Sequence, residues 1–191
     1  MNEYPAAPRL GEQMFDELVL GVDPGVAHVG LAAVARDRGA SSLVWSDAIS
    51  TQSSLDQAVR LLQISRAVAA AIETYRPTML ALERVAWNVN KVSAMAVSRA
   101  TGVVMAAAAA AGVGVEEYGS LEVKNAVCGF GNADKAQVRL ALARLHGLRD
   151  VPADPDAVDA VAVAVAHLVR ARFAAAAGRS SKPARAGRAR K

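Results

Sequence analysis

The segment Thr78–Glu83 (TMLALE) constrains the fold of this chain more than any other. It is an uncharged run closed by a carboxylate, the pattern of a strand buried on both faces. A helical pattern precedes it. Ala58, Leu61, Leu62, Ser65, Val68, Ala69 and Ile72 follow i, i+3, i+4 spacing from a cap at Ser53 or Ser54, and Arg76-Pro77 ends the run at Tyr75. A long Ala-rich helix over 91–111 and a strand over Gly114–Tyr118 come after it. Strand, helix, strand, helix, strand requires parallel crossovers.

Upstream, Glu17–Asp23 (ELVLGVD), Val29–Arg36 (VGLAAVAR) and Leu43–Ile49 (LVWSDAI) are short strands with Gly- and Ser-containing turns, the signature of an antiparallel meander. Downstream, Ser120 caps a short helix through Val127. Gly129-Phe130-Gly131 is a loop, and Ala133–Leu145 and Pro155–Phe173 are helices. The expectation is an α/β domain over residues 17–173: a mixed five-stranded sheet with helices on both faces. Residues 1–16 form a disordered lead-in and 174–191 a disordered basic tail.

Composition excludes several classes. Cys128 is the only cysteine, which rules out a disulfide scaffold or a Cys-rich zinc site. It has no convincing base partner and is expected to be buried. No signal peptide is visible, and Gly, Arg or Asp interrupts every long apolar window, so a soluble cytoplasmic protein without a membrane span is expected. The 43 alanines favour helix and say nothing specific about function. The formal charge of +4 is carried by the tail: residues 178–191 hold six basic residues and no acid. Without them the body has sixteen basic and eighteen acidic residues, so function must be read from sites rather than from bulk charge.

Four acids stand out by position. Asp23 ends the first strand before Pro24-Gly25. Glu83 ends the fourth. Asp156 and Asp159, three apart, share one face near the start of the last helix. Ligands of open α/β sheets sit beyond the carboxyl ends of strands, so adjacent parallel first and fourth strands put Asp23 and Glu83 on one rim. Four clustered carboxylates repel one another, and two divalent cations offset that. Oxygen-only donors suit Mg²⁺ or Mn²⁺, and paired metals are a known device for phosphodiester displacement. Plainer readings stand beside this one. Asp23 serves turn chemistry. Asp154 caps the last helix with Pro155 at its first position, and its neighbours favour the helix dipole. Arg84 is a candidate partner for Glu83. His167 lies two turns past Asp159 and off its face, a packing residue.

Four segments in order, LGVDPGVAHVGLAAV (20–34), ALERVAWNVNKVSAMAVSRATGVVMAAA (81–108), VEEYGSLEVKNAVCGFGNADKAQV (115–138) and ADPDAVDAVAVAVAH (153–167), resemble the RuvC family of bacterial Holliday-junction resolvases. The resemblance implies an RNase H-like fold. It implies a homodimer that nicks opposing strands of a four-way DNA junction and works alongside the RuvA–RuvB branch-migration machinery. It implies a catalytic, metal-binding quartet of Asp23, Glu83, Asp156 and Asp159, holding two Mg²⁺ or Mn²⁺ ions per active site. Lys124 and Lys135 match lysines that contact DNA; a solvated helix face is the plainer reading of both. Members often carry an aromatic residue three positions after the catalytic Glu. Here that position is Ala86 and Trp87 follows, so either Trp87 stacks on DNA from the next position or the wedge is absent. The helix around Met95–Met105 is either the dimer face or ordinary packing.

The expected activity is metal-dependent hydrolysis leaving 5′-phosphate and 3′-hydroxyl ends. Two other readings are a catalytically inactive junction-binding dimer and an ATP-dependent phosphotransferase with a related sheet. The intact quartet argues against the first. The lack of a second Gly-rich phosphate loop and a second domain argues against the other.

Overall fold

A computed structural model describes residues 15–84 and 91–176. The first three strands form the meander read from their turns: β1 (Glu17–Asp23), β2 (His28–Asp37) and β3 (Ala40–Ser50). Helix α1 (Gln57–Tyr75) leads to β4 (Met79–Glu83), and α2 (Lys91–Ala110) leads to β5 (Gly114–Tyr118). Three helices complete the chain: α3 (Ser120–Cys128), α4 (Lys135–Arg144) and α5 (Pro155–Ala176). The sheet order is β3-β2-β1-β4-β5. β1 pairs antiparallel with β2 (Asp23 opposite Gly30) and parallel with β4 (Val22 opposite Leu82). β4 pairs parallel with β5, with Glu83 opposite Tyr118. The carboxyl ends of β1, β4 and β5 therefore share one rim.

Alternation along the strands builds two cores. Val19, Ala81 and Tyr118 face α3 and α5, whereas Leu20, Val22, Leu80 and Leu82 face α1 and α2. Leu20, Leu80 and Leu82 are fully buried, and each such side chain stabilises the fold by roughly 1.5–3 kcal/mol. Helix α5 lies close on its face. A Cβ on Gly21 would sit 2.1 Å from the Ala160 carbonyl oxygen, and one on Gly30 would sit 1.9 Å from that of Asp156. Two backbones meet there, which only glycine permits.

The caps differ from the sequence reading in two places. Asp56, not Ser53 or Ser54, caps α1, accepting the Ala58 N–H at 2.8 Å. Gly119, not Ser120, occupies the cap of α3, and Glu122 Oε2 accepts its N–H at 2.8 Å. Asp154 caps α5 as expected: Oδ1 accepts the N–H groups of Asp156 and Ala157 at 2.9 and 3.1 Å. Helix α5 continues to Ala176, past the expected end at Phe173. At the other boundary Asp16 accepts the Arg38 N–H at 2.8 Å, tying the residue before β1 to the β2–β3 turn. The rest of the expected lead-in and tail, residues 1–14 and 177–191, lies outside the described residues. No helix among the described residues is long and apolar enough to cross a membrane.

Candidate active site

Asp23 ends the buried run of β1, and Glu83 ends that of β4, one strand away. The seating of α5 on Gly30, which pairs with Asp23, brings the first turn of that helix to the same rim. The four carboxylates are all half-buried and feel one another. Burial raises the Asp23 carboxyl to about 7, and the charges of Glu83, Asp159 and Asp156 add to the effect, while Lys135 opposes it. Burial likewise raises Glu83, helped by Asp159 and opposed by a hydrogen bond from Ser120 and by the charges of Lys135 and Lys124. The four acids singled out by position in the sequence thus form one electrostatic cluster in the fold.

Both lysines face that cluster. Lys135, at the start of α4, donates from Nζ to Asp159 Oδ2 at 2.8 Å, and this bond raises its own pKa. Lys124 on α3 acts on Glu83 from the side of β5. Trp87 lies outside the described residues.

Among the described residues, no three His, Cys, Asp or Glu side chains are disposed as a ready set of metal ligands. The donor chemistry fits a hard divalent cation, because every donor is a carboxylate and the cluster carries more negative charge than one ammonium balances.

Several neighbours carry roles that the sequence did not disclose. Arg84 does not pair with Glu83. Its Nη2 donates to Glu122 Oε2 at 2.8 Å, and Glu83 instead receives a hydrogen bond from Ser120. Glu122 was unmarked in the sequence, although its place in the first turn of a short helix was legible. Arg99 donates to Gln57 Oε1 at 2.6 Å, joining α2 to α1. His167 is buried away from the rim. Its Nδ1 lies 2.8 Å from the Tyr118 hydroxyl and its Nε2 3.3 Å from Glu17 Oε1, so it is a polar bridge within the core rather than plain packing. Cys128 is half-buried rather than buried, and burial pushes its thiol up, away from a reactive thiolate.

A β3-β2-β1-β4-β5 sheet with one antiparallel meander, two parallel crossovers and acids on the shared rim defines an RNase H-like nuclease fold. Comparison with known proteins agrees at the level of sequence. The profile of the family "Crossover junction endodeoxyribonuclease RuvC" matches residues 19–167, and the chain belongs to that family. A relative of that name from Syntrophomonas wolfei is 39% identical over 150 residues, covering 78% of this chain and 87% of the relative. A Mycobacterium avium member is 42% identical over 154 residues, covering 80% and 82%. Among solved structures, Thermus thermophilus RuvC in complex with Holliday junction substrate superposes with a TM-score of 0.78 at 32% identity, covering 88% of this chain and 99% of that one. The yeast mitochondrial Holliday junction resolvase, at 11% identity and a TM-score of 0.66, shares the fold. Membership makes the chain a nuclease of a divalent-metal-dependent family.

Proposed function

We propose that this chain resolves four-way (Holliday) DNA junctions by paired, symmetric nicks in recombination and repair, with Asp23, Glu83, Asp156 and Asp159 as its catalytic carboxylates. The observation that carries the reading is their electrostatic convergence on one sheet rim, in a chain of this family. These four would hold two Mg²⁺ or Mn²⁺ ions, which when bound supply an acidified water and neutralise charge building on the phosphate. The chain's own contribution is placement. Strand ends fix Asp23 and Glu83, Ser120 orients Glu83, and Asp154 sets the start of the helix that presents Asp156 and Asp159. Lys124 and Lys135 pair with phosphates, which fixes the register of the DNA and not its sequence. Trp87 is the candidate to stack near the junction centre.

A two-fold substrate cut twice calls for the same site presented twice, so the working unit is a homodimer. Helix α2 supports this: Ala100, Val104 and Ala108 are buried inward while Met95 is well exposed. The RuvA–RuvB machinery is its partner by family, its compartment is the cytoplasm, and residues 178–191, with six basic residues and no acid, are an accessory basic arm for DNA. The deciding experiment is cleavage of a synthetic four-way junction in Mg²⁺ and in Mn²⁺. Paired nicks with 5′-phosphate ends are expected. Binding without cutting in either metal would leave only a junction-binding dimer, and ATP turnover without cutting would leave a phosphotransferase.

A further inference from the structure

Two guanidinium groups converge on one carboxylate beside the active site. Arg84 Nη2 donates to Glu122 Oε2 at 2.8 Å, and Arg170 Nη1 donates to Glu122 Oε1 at 3.0 Å. Glu122 also accepts the Gly119 N–H. Arg170 lies 5.2 Å over the ring of Tyr118, and the Arg84 backbone N–H donates to the Tyr118 carbonyl at 2.8 Å. Both arginine side chains remain 53% exposed. Three elements thus meet at one point: the residue after β4, the first turn of α3 and the middle of α5.

Stability does not explain this arrangement well, since exposed ion pairs contribute little. Two guanidinium groups share the single Glu122 carboxylate, and the other acid nearby, Glu116, lies at the Tyr118 hydroxyl and the His167 ring. Each guanidinium has five N–H donors, and Glu122 engages one from each at these distances. Glu122 restrains both guanidinium groups and the Tyr118 ring restrains that of Arg170, leaving their other donors toward solvent. A pinned arginine fork is the geometry that recognises a phosphate bidentately. Its place is equally specific. Arg84 directly follows Glu83, and Glu122 lies between Ser120, which bonds Glu83, and Lys124.

We infer that Arg84 and Arg170, held by Glu122, form a second phosphate-binding site that grips the DNA backbone on the β5 side of the carboxylates, at a phosphodiester other than the one cut. The inference rests on the reading of the chain as a DNA nuclease. Lys135 is held at Asp159 on the same rim, so the fork and Lys135 would both grip the strand beside the carboxylates and set which phosphate reaches them.

The test is a salt series of junction and duplex affinity with Ca²⁺ in place of the catalytic ion, together with Mg²⁺ cleavage and a thermal melt. The log–log salt slope falls by about 0.9 for each phosphate that the protein no longer neutralises. Arg84→Gln/Arg170→Gln is expected to flatten the slope on both DNA shapes by the equivalent of at least one phosphate per protomer, with an unchanged melt. Arg84→Lys/Arg170→Lys is expected to restore most of the slope, and Arg170→Gln alone to give an intermediate value in a chain altered only at a solvent-facing position. A wild-type slope in the double Gln variant, or a slope that changes only as the melt collapses, overturns the fork. A wild-type chain that neither binds nor cuts junctions overturns the nuclease reading itself, and the fork with it. A wild-type chain that cuts, with slopes unmoved in every variant, overturns the fork alone.

Discussion

Lys135 Nζ lies 2.8 Å from Asp159 Oδ2, so a residue suited to hold DNA phosphate is also the counter-charge of the carboxylate cluster. Its charge opposes the rise in both Asp23 and Glu83. With Asp159 as the proposed metal ligand, the ammonium and a divalent cation would compete for the same carboxylate, tying cation loading to movement of Lys135 toward solvent, where its side chain is already 68% exposed.

Lys135→Ala is therefore expected to act in two directions. In DNA-free protein, Mn²⁺ should raise the melting temperature more in the variant than in the parent, because no ammonium has to be displaced from Asp159. Cleavage at saturating Mn²⁺ should nevertheless fall several-fold, because a cation that grips phosphate is gone. A thermal-shift titration and a junction assay read the two effects. An unchanged Mn²⁺ response would show that the ion pair does not compete with metal.

Asp23→Asn is expected to abolish cleavage while leaving junction binding intact, since the change removes a proposed metal ligand and leaves the proposed DNA-holding groups in place. It also has a stability signature without metal. The Asp23 carboxyl is raised to about 7 from its ordinary 3.8. A raised carboxyl favours the folded state in its protonated form, so this contribution is complete below pH 4 and is lost as pH rises through 7. The parent should lose up to roughly 4 kcal/mol across that window. Asp23→Asn should not, and in EDTA at pH 8 it should melt higher than the parent. Melts at pH 5 and pH 8 decide; equal pH dependence in both chains would contradict the buried, mutually repelling cluster.

Gly30→Ala tests the seating of α5. The added methyl would meet the Asp156 carbonyl oxygen at 1.9 Å, so helix or strand must shift. A cost of about 1–3 kcal/mol is expected, together with a loss of cleavage of at least tenfold under conditions where the variant is fully folded. A chain that is destabilised but cuts at the parental rate would show that the first turn of α5 need not keep its depth.

Glu17→Gln tests the buried bridge. The hydrogen bond from His167 holds the Glu17 carboxyl below its ordinary value, against burial and with help from Arg36. A lowered carboxyl stabilises the fold above its unfolded pKa, near 4.5, and that stability is lost as pH falls through the lower folded value. The variant should therefore be less stable than the parent at pH 7, by roughly 1–3 kcal/mol, and the gap should close below pH 4. Paired denaturant titrations at the two pH values measure it.

The strands and helices were legible because their signals are local. TMLALE reads as a buried strand on its own residues, and Arg76-Pro77 marks the end of α1, where Arg76 takes the left-handed conformation. The quartet was legible as strand-end and i, i+3 positions, and the RuvC resemblance assigned its role. What escaped was pairwise and tertiary. Arg84 beside Glu83 in sequence invites a pairing, yet both side chains find their partners on α3, Glu83 at Ser120 and Arg84 at Glu122, and only the tertiary packing sets those partners. Ser120 read as a cap, since nothing local says that its hydroxyl reaches Glu83. His167 read as packing because its partners, Tyr118 and Glu17, lie on strands at opposite ends of the chain order. Gly21 and Gly30 within strands were the one missed tertiary signal with a local mark, since a glycine in a strand interior often announces close approach of another backbone.

The carboxylates come from three elements spread between Asp23 and Asp159, and the last of these, α5, packs with α3 and α4 on one face of the sheet. Pairings so distant in sequence form late and only in the finished chain. A ribosome stalled anywhere before Pro155 releases a product with at most two of the four acids and without the helix that packs on one face of its sheet. Such a fragment is a case for the proteases and not a hazard to the chromosome: the capacity to cut is the last property the polypeptide acquires and the first that truncation takes away.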